Sequence, residues 1–110
     1  MRQVPYPHPG EILIEEFLKP MGITQQLLAK EIGVSQRSIE EIIAGTRSIT
    51  INTGLRLSRF FGTSENFWIG LQIDYDTACA KDKLTKILTK IKTWEYTENS
   101  SNTQQNIITL

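Results

Sequence analysis

Between residues 24 and 45, TQQLLAKEIGVSQRSIEEIIAG, apolar residues recur at helical spacing on either side of Gly33, as Leu28 and Ala29 before it and Ile39, Ile42 and Ile43 after it. The pattern predicts two short helices joined by a tight glycine turn, a helix-turn-helix. Such a unit needs a small residue where the helices touch, a residue that tolerates positive φ in the turn, and branched apolar residues that pin the second helix from below. Ala29, Gly33, Ile39 and Ile42 meet those needs in order. Thr24 is placed to N-cap the first helix with Ile23 and Leu28 as its hydrophobic staple, and Ser35 to N-cap the second with Val34 and Ile39.

The same periodicity predicts helices on both sides of the motif. Pro5, Pro7 and Pro9 keep the N-terminus extended until Pro9, which suits a first helical turn. A first helix is expected from about Pro9 to Lys19, with Ile12, Leu13, Phe17 and Leu18 in one stripe and Pro20 and Gly22 as its stop. After Gly45 and the loop TRSI, Thr50 is placed to N-cap a fourth helix bearing Leu55, Leu57, Phe60 and Phe61, closed by Gly62. Thr63 or Ser64 should open a fifth, in which Phe67, Trp68, Leu71 and Tyr75 recur as core. From Lys81 to about Trp94 the stripe continues through Leu84, Ile87, Leu88, Ile91 and Trp94, as a separate amphipathic helix or as one rod with the fifth. Leu84, Ile87, Ile91 and Trp94 form either a dimer interface or a seat against the first helix. The resulting expectation is an all-α domain of five to six helices over residues 1–96, with a flexible polar tail at 97–110 whose Ile107, Ile108 and Leu110 offer pairing as an edge strand as the alternative to disorder.

Length and composition narrow the function classes. A chain of 110 residues builds one core. No apolar run approaches the ~18 residues of a membrane span. MRQVPYPHPGE lacks a basic-then-apolar leader pattern, so residence in the cytoplasm away from membranes is expected. Cys79 is the only cysteine and His8 the only histidine, which leaves no disulfide and no evident metal site, and His8 between Pro7 and Pro9 reads as the entry to the first helix. Glu15/Glu16 and Glu40/Glu41 are neighbours about 100° apart on a helix, so their carboxylates diverge and form no acid/base dyad. No enzyme, cofactor or small-molecule substrate is indicated. Charge is balanced at 12 Lys+Arg against 12 Asp+Glu, although residues 24–62 carry five basic side chains against three acidic ones. Attraction to phosphate should be modest, so useful affinity for DNA would come from a dimer or a basic partner.

The chain resembles the phage-repressor class of helix-turn-helix domains and, more narrowly, the HigA-type antitoxins. The resemblance covers about residues 7–94 and rests on HPGEIL at 8–13, the motif itself, GTRSIT at 45–50, LRLSRFFGTS at 55–64, and Phe67, Trp68, Leu71, Gln72, Tyr75 and Asp76. It implies a homodimer that binds a palindromic double-stranded DNA operator in its own promoter and neutralises a cognate HigB-like toxin, a small RelE-like mRNA endoribonuclease. A free-standing transcriptional regulator without a toxin is the alternative, and a toxin-sequestering protein whose DNA binding has decayed is a third. For the toxin surface, the N-terminal arm and first helix with Glu11, Glu15 and Glu16 are the candidate against a basic partner.

In this class the second helix of the motif enters the major groove by its N-terminal end. Here that end presents Ser35, Gln36, Arg37, Glu40 and Glu41. Gln36 suits adenine N6 and N7, Gln25 is expected to bridge phosphate to Gln36, and Arg37 suits guanine or phosphate. Thr46, Arg47 and Ser48 are the expected phosphate contacts that set register. Glu40 departs from the family, where asparagine is common, and either accepts from cytosine N4 or is held by Arg37 one turn back. Gln36→Ala should relax sequence preference at a cost of ~1–3 kcal/mol, whereas Arg47→Ala should weaken binding to all DNA alike. Titrations giving both variants equal losses on cognate and random duplex reject that division.

Overall fold

The computed structural model describes residues 6–95, all of whose regular elements are helical. Helix α1 runs from Pro9 to Met21 as α-helical Pro9–Ile12, π-helical Leu13–Leu18 and α-helical Lys19–Met21. It is followed by α2 (Gln25–Ile32), α3 (Gln36–Ala44), α4 (Ile51–Phe61) and α5 (Phe67–Lys90). The readings of 97–110 as a tail and of the boundary at 96 lie outside the described residues.

The local signals act where expected. His8 caps α1, its Nδ1 accepting the Gly10 N–H at 2.9 Å, with Pro9 at the first helical position. Thr24, Ser35 and Thr50 accept from the N–H groups of Leu27, Ser38 and Thr53 at 3.0, 3.1 and 3.1 Å. Gly33 turns the chain with φ 74°, and both its own N–H and that of Val34 bond the Ala29 carbonyl.

Three boundaries differ from the sequence-based expectation. Pro20 does not stop α1; the chain passes through it and ends at Gly22, φ 67°. The reason is the π turn, in which the Lys19 N–H reaches back five residues to the Ile14 carbonyl. The widened turn takes up the register in which a proline ring would meet the carbonyl four residues earlier. Helix α5 begins at Phe67 and not at Thr63 or Ser64, because the Thr63 hydroxyl bonds the Ser64 carbonyl and the Phe67 N–H closes a turn onto Ser64. It ends at Lys90 and not near Trp94: residues 80–95 are all exposed, so only intrinsic propensity sustains the helix there, and β-branched Ile91 and Thr93 supply little. The fifth and sixth expected helices are thus one rod.

The core lies where α1, the motif, α4 and the first half of α5 converge, and contains Leu13, Leu18, Leu28, Ile39, Ile42, Leu57 and Trp68. Phe17 meets both Phe61 and Trp68 in tilted ring contacts at 4.8 Å, joining α1 to α4 and α5. The second half of α5 projects from this body, and the described residues together extend 62 × 32 × 22 Å. Ile87 is 56% exposed, and Leu84, Leu88, Ile91 and Trp94 are exposed with it. Packing of this stripe back onto the first helix is therefore excluded.

At Gly10 the backbones of α1 and α3 approach too closely to admit a side chain. A Cβ at Gly10 would lie 1.8 Å from the Ile42 carbonyl oxygen and 2.8 Å from the Ile43 Cα, both backbone atoms that cannot rotate away. Gly10→Ala should accordingly cost about 3 kcal/mol through overpacking, read as a lowered urea midpoint. An unchanged midpoint would show that the two helices part freely at this contact.

Candidate nucleic-acid interface

Burial of Ile39 and Ile42 turns the opposite side of α3 outward, so Gln36, Arg37 and Glu40 are exposed. An open groove of about 700 Å³ lies between the end of α1 and the starts of α2 and α3, lined among others by Lys19, Thr24, Gln25, Gln36 and Glu40. The structure thus brings Gln25, Gln36 and Glu40 to one place. It does not join the two glutamines: Gln36 donates its amide to Glu40 Oε2 at 3.0 Å, one turn along the helix.

The expected Arg37–Glu40 pair is likewise replaced. Arg37 Nε donates to Glu41 Oε2 at 2.9 Å, the four-residue spacing that stacks side chains on a helix. Arg47 reaches the other oxygen of the same carboxylate from the loop after α3, with Nη2 at 2.6 Å and Nε at 2.8 Å from Glu41 Oε1. Bonding to Arg37, then to Arg47, holds the Glu41 carboxyl below the usual carboxylate range, and Glu41 in turn raises the Arg37 guanidinium. Sequence reasoning placed Glu41 on the outward face without giving it this role, since half of the cluster comes from a loop.

That loop is moored at both ends. The Thr46 N–H and hydroxyl both bond the Glu41 carbonyl, at 2.9 and 3.2 Å, so the Thr46 hydroxyl serves as a helix cap in this structure. At the other end, the Ile49 N–H donates to Gln72 Oε1 at 2.7 Å, and the Gln72 amide donates to Asp76 Oδ1 at 2.9 Å. Gln72 is only 5% exposed and binds a backbone group 23 residues away. Arg47 and Ser48 stand exposed between the moorings. Ser35 is occupied as the α3 cap and also meets the Ser38 hydroxyl at 2.8 Å.

Arg56 is a second residue that the sequence did not single out. Its Nη1 donates to the Ile32 carbonyl at 2.7 Å, satisfying the end of α2 from α4, while its Nε bonds Asn52. Every partner here other than Asn52 is remote in sequence, which is why no local motif announces it. Among the described residues no helix is long and apolar enough to cross a membrane.

Comparison with known proteins agrees with this geometry. The family model described as helix-turn-helix matches residues 14–68. Virulence-associated protein I of Dichelobacter nodosus is 47% identical over 79 residues, covering 72% of this chain and 73% of that protein. The Escherichia coli HTH-type transcriptional regulator YbaQ is 34% identical over 68 residues, covering 62% of this chain and 60% of that protein. Among solved structures, the Pseudomonas aeruginosa antitoxin HigA with the higBA promoter superposes with a TM-score of 0.77 at 36% identity, covering 81% of this chain and 98% of that one. A HigA-family addiction module antidote protein from Coxiella burnetii gives a TM-score of 0.74 at 39% identity, covering 86% and 100%.

Proposed function

The chain belongs to the helix-turn-helix family of phage-repressor type, its structural neighbours are HigA antitoxins, and from that premise we propose that it is the antitoxin of a type II toxin–antitoxin pair. It binds a palindromic operator in double-stranded DNA to repress its own operon, and it neutralises a small RelE-like, HigB-like mRNA endoribonuclease. The observation that carries the reading is the joint exposure of Gln36 and Arg37 on α3 with Arg47 and Ser48 on the adjoining loop, in a chain that superposes on nearly the whole of an antitoxin solved with its promoter. In this reading Gln25, Ser35, Gln36, Arg37 and Glu40 face the groove, and Thr46, Arg47 and Ser48 follow the phosphates.

A chain with no net charge gains little from phosphate attraction alone. Two copies on a two-fold operator double the contacts, so dimerisation through the exposed half of α5 completes the proposal. Leu84 and Ile87 lie on the helix, whereas Ile91 and Trp94 are exposed beyond its end, where the backbone turns extended and the helical spacing no longer holds. A second reading, a free-standing regulator with the same groove chemistry, is favoured by the similarity to YbaQ.

Two experiments test the proposal. Expression of the adjacent small open reading frame should arrest growth, and co-expression of this chain should relieve the arrest; a harmless neighbour, or arrest without rescue, transfers the conclusion to the free-standing regulator. For the dimer, Ile87→Asp should give a folded monomer by light scattering and circular dichroism. A folded variant that remains dimeric rejects the α5 stripe as the interface.

A further inference from the structure

Glu41 is the point at which the charges of the outward face meet. Each of its carboxylate oxygens serves one arginine, Oε2 taking Arg37 from one turn earlier and Oε1 taking Arg47 from the loop. The carboxylate is 29% exposed, while the Arg37 and Arg47 side chains are 82% and 49% exposed. Ion pairs so open to water contribute little to stability, so the cluster is not explained by folding. Nor is the carboxylate needed to moor the loop, because Thr46 bonds the Glu41 backbone carbonyl, which any residue at that position supplies, and Gln72 holds Ile49 at the other end. What the carboxylate does is fix two long cationic side chains in direction and offset part of their charge. Glu65, exposed in the turn between α4 and α5, is a comparison outside that face, since among the described residues it pairs with no arginine.

We propose that Glu41 is a specificity-determining positioning residue of the DNA face, an internal counter-ion that aims Arg37 and Arg47 and restrains their attraction to phosphate of any sequence. The proposal rests on the DNA-binding reading above. Affinity for random DNA grows with the number of cations free to displace counter-ions, whereas affinity for an operator depends also on where those cations point. A paired arginine adheres weakly to duplex at large and docks only where the groove presents its acceptors in the direction already set. The carboxylate therefore lowers non-specific binding more than specific binding.

The test is fluorescence anisotropy over a salt series, with the full chain, on a duplex from the chain's own upstream region and on a random duplex of equal length. Glu41→Gln should steepen the salt dependence on random duplex by about 0.9 log units per log unit of salt for each protomer bound, which is roughly fivefold to tenfold tighter binding at about 0.1 M salt. The operator should gain less, so the ratio of operator to random affinity falls several-fold. Glu41→Asp keeps the charge but shortens its reach, and should lower the ratio with the salt slope unchanged. Glu65→Gln removes the same charge outside the proposed DNA face and frees no arginine, so it should change both duplexes in parallel, leaving the ratio intact. Equal ratios for Glu41→Gln and Glu65→Gln, or a Glu41→Asp variant indistinguishable from the unsubstituted chain, overturn the proposal and leave DNA binding standing. An unsubstituted chain that shifts neither duplex removes DNA binding itself, and this inference with it.

Discussion

The absence of a side chain at Gly10 lets the start of α1 lie against the backbone of α3, and the orientation of the whole outward face depends on that contact. Helix α3 has only nine residues, too few to be stable alone in water, so its position is set by what it packs on. Below it, Ile39 and Ile42 are fully buried; beside it, the Ile42 carbonyl abuts Gly10. The approach is prepared by the residues just before, with His8 capping the helix and Pro9 setting its first φ. The His8 ring in turn sits edge-on to Tyr75 of α5 at 5.0 Å, so the same short segment ties α3, α1 and α5 together.

From that fixed helix the outward face inherits its electrostatics. Every charged or amide group at the middle of it has an internal partner: Gln36 with Glu40, and Arg37 and Arg47 with Glu41. Each exposed pair contributes little energy, but together they set directions on a surface whose parent chain has no net charge to draw DNA in. In such a chain, recognition has to come from geometry and from valency. The buried Gln72, which holds the Ile49 end of the loop, makes that geometry independent of solvent, because an N–H left unpaired there would carry the full cost of desolvation.

How much of this was legible follows the range of each interaction. Caps, staples and glycine ends act over three to five residues, so Thr24, Ser35, Thr50, Gly33 and Gly45 were readable as letters, and the groove-facing set on α3 followed from the burial of its isoleucines. Pro20 misled because a proline is a stop only in an α register, and the π turn that admits it has no sequence mark of its own. Arg56, Gln72 and the second arm of Glu41 were missed for a different reason. Their partners lie 24, 23 and 6 residues away and become neighbours only after the chain has folded. The Arg37–Glu40 expectation erred by one residue, enough to exchange the partners of two carboxylates on a helix that turns about 100° per residue.

Helix α5 shows where folding energy gives way to something else. Its buried residues, Trp68, Gln72 and Ala78, all fall in the first half, and the helix then continues for twelve residues to Lys90 with none buried. A half-helix of that length is marginal by propensity alone. A lone rod exposed to water would be expected to be polar all round, yet this one keeps Leu84, Ile87 and Leu88 within one turn of each other and places Lys83, Lys86 and Lys90 among them. Retaining apolar residues at helical spacing beyond the reach of the core is costly in solubility unless a partner covers them. In the dimer proposed above, a second copy of the same helix would meet the requirement, since it would bring a matching stripe at the same concentration and carry its own α3 to the second half of a two-fold site.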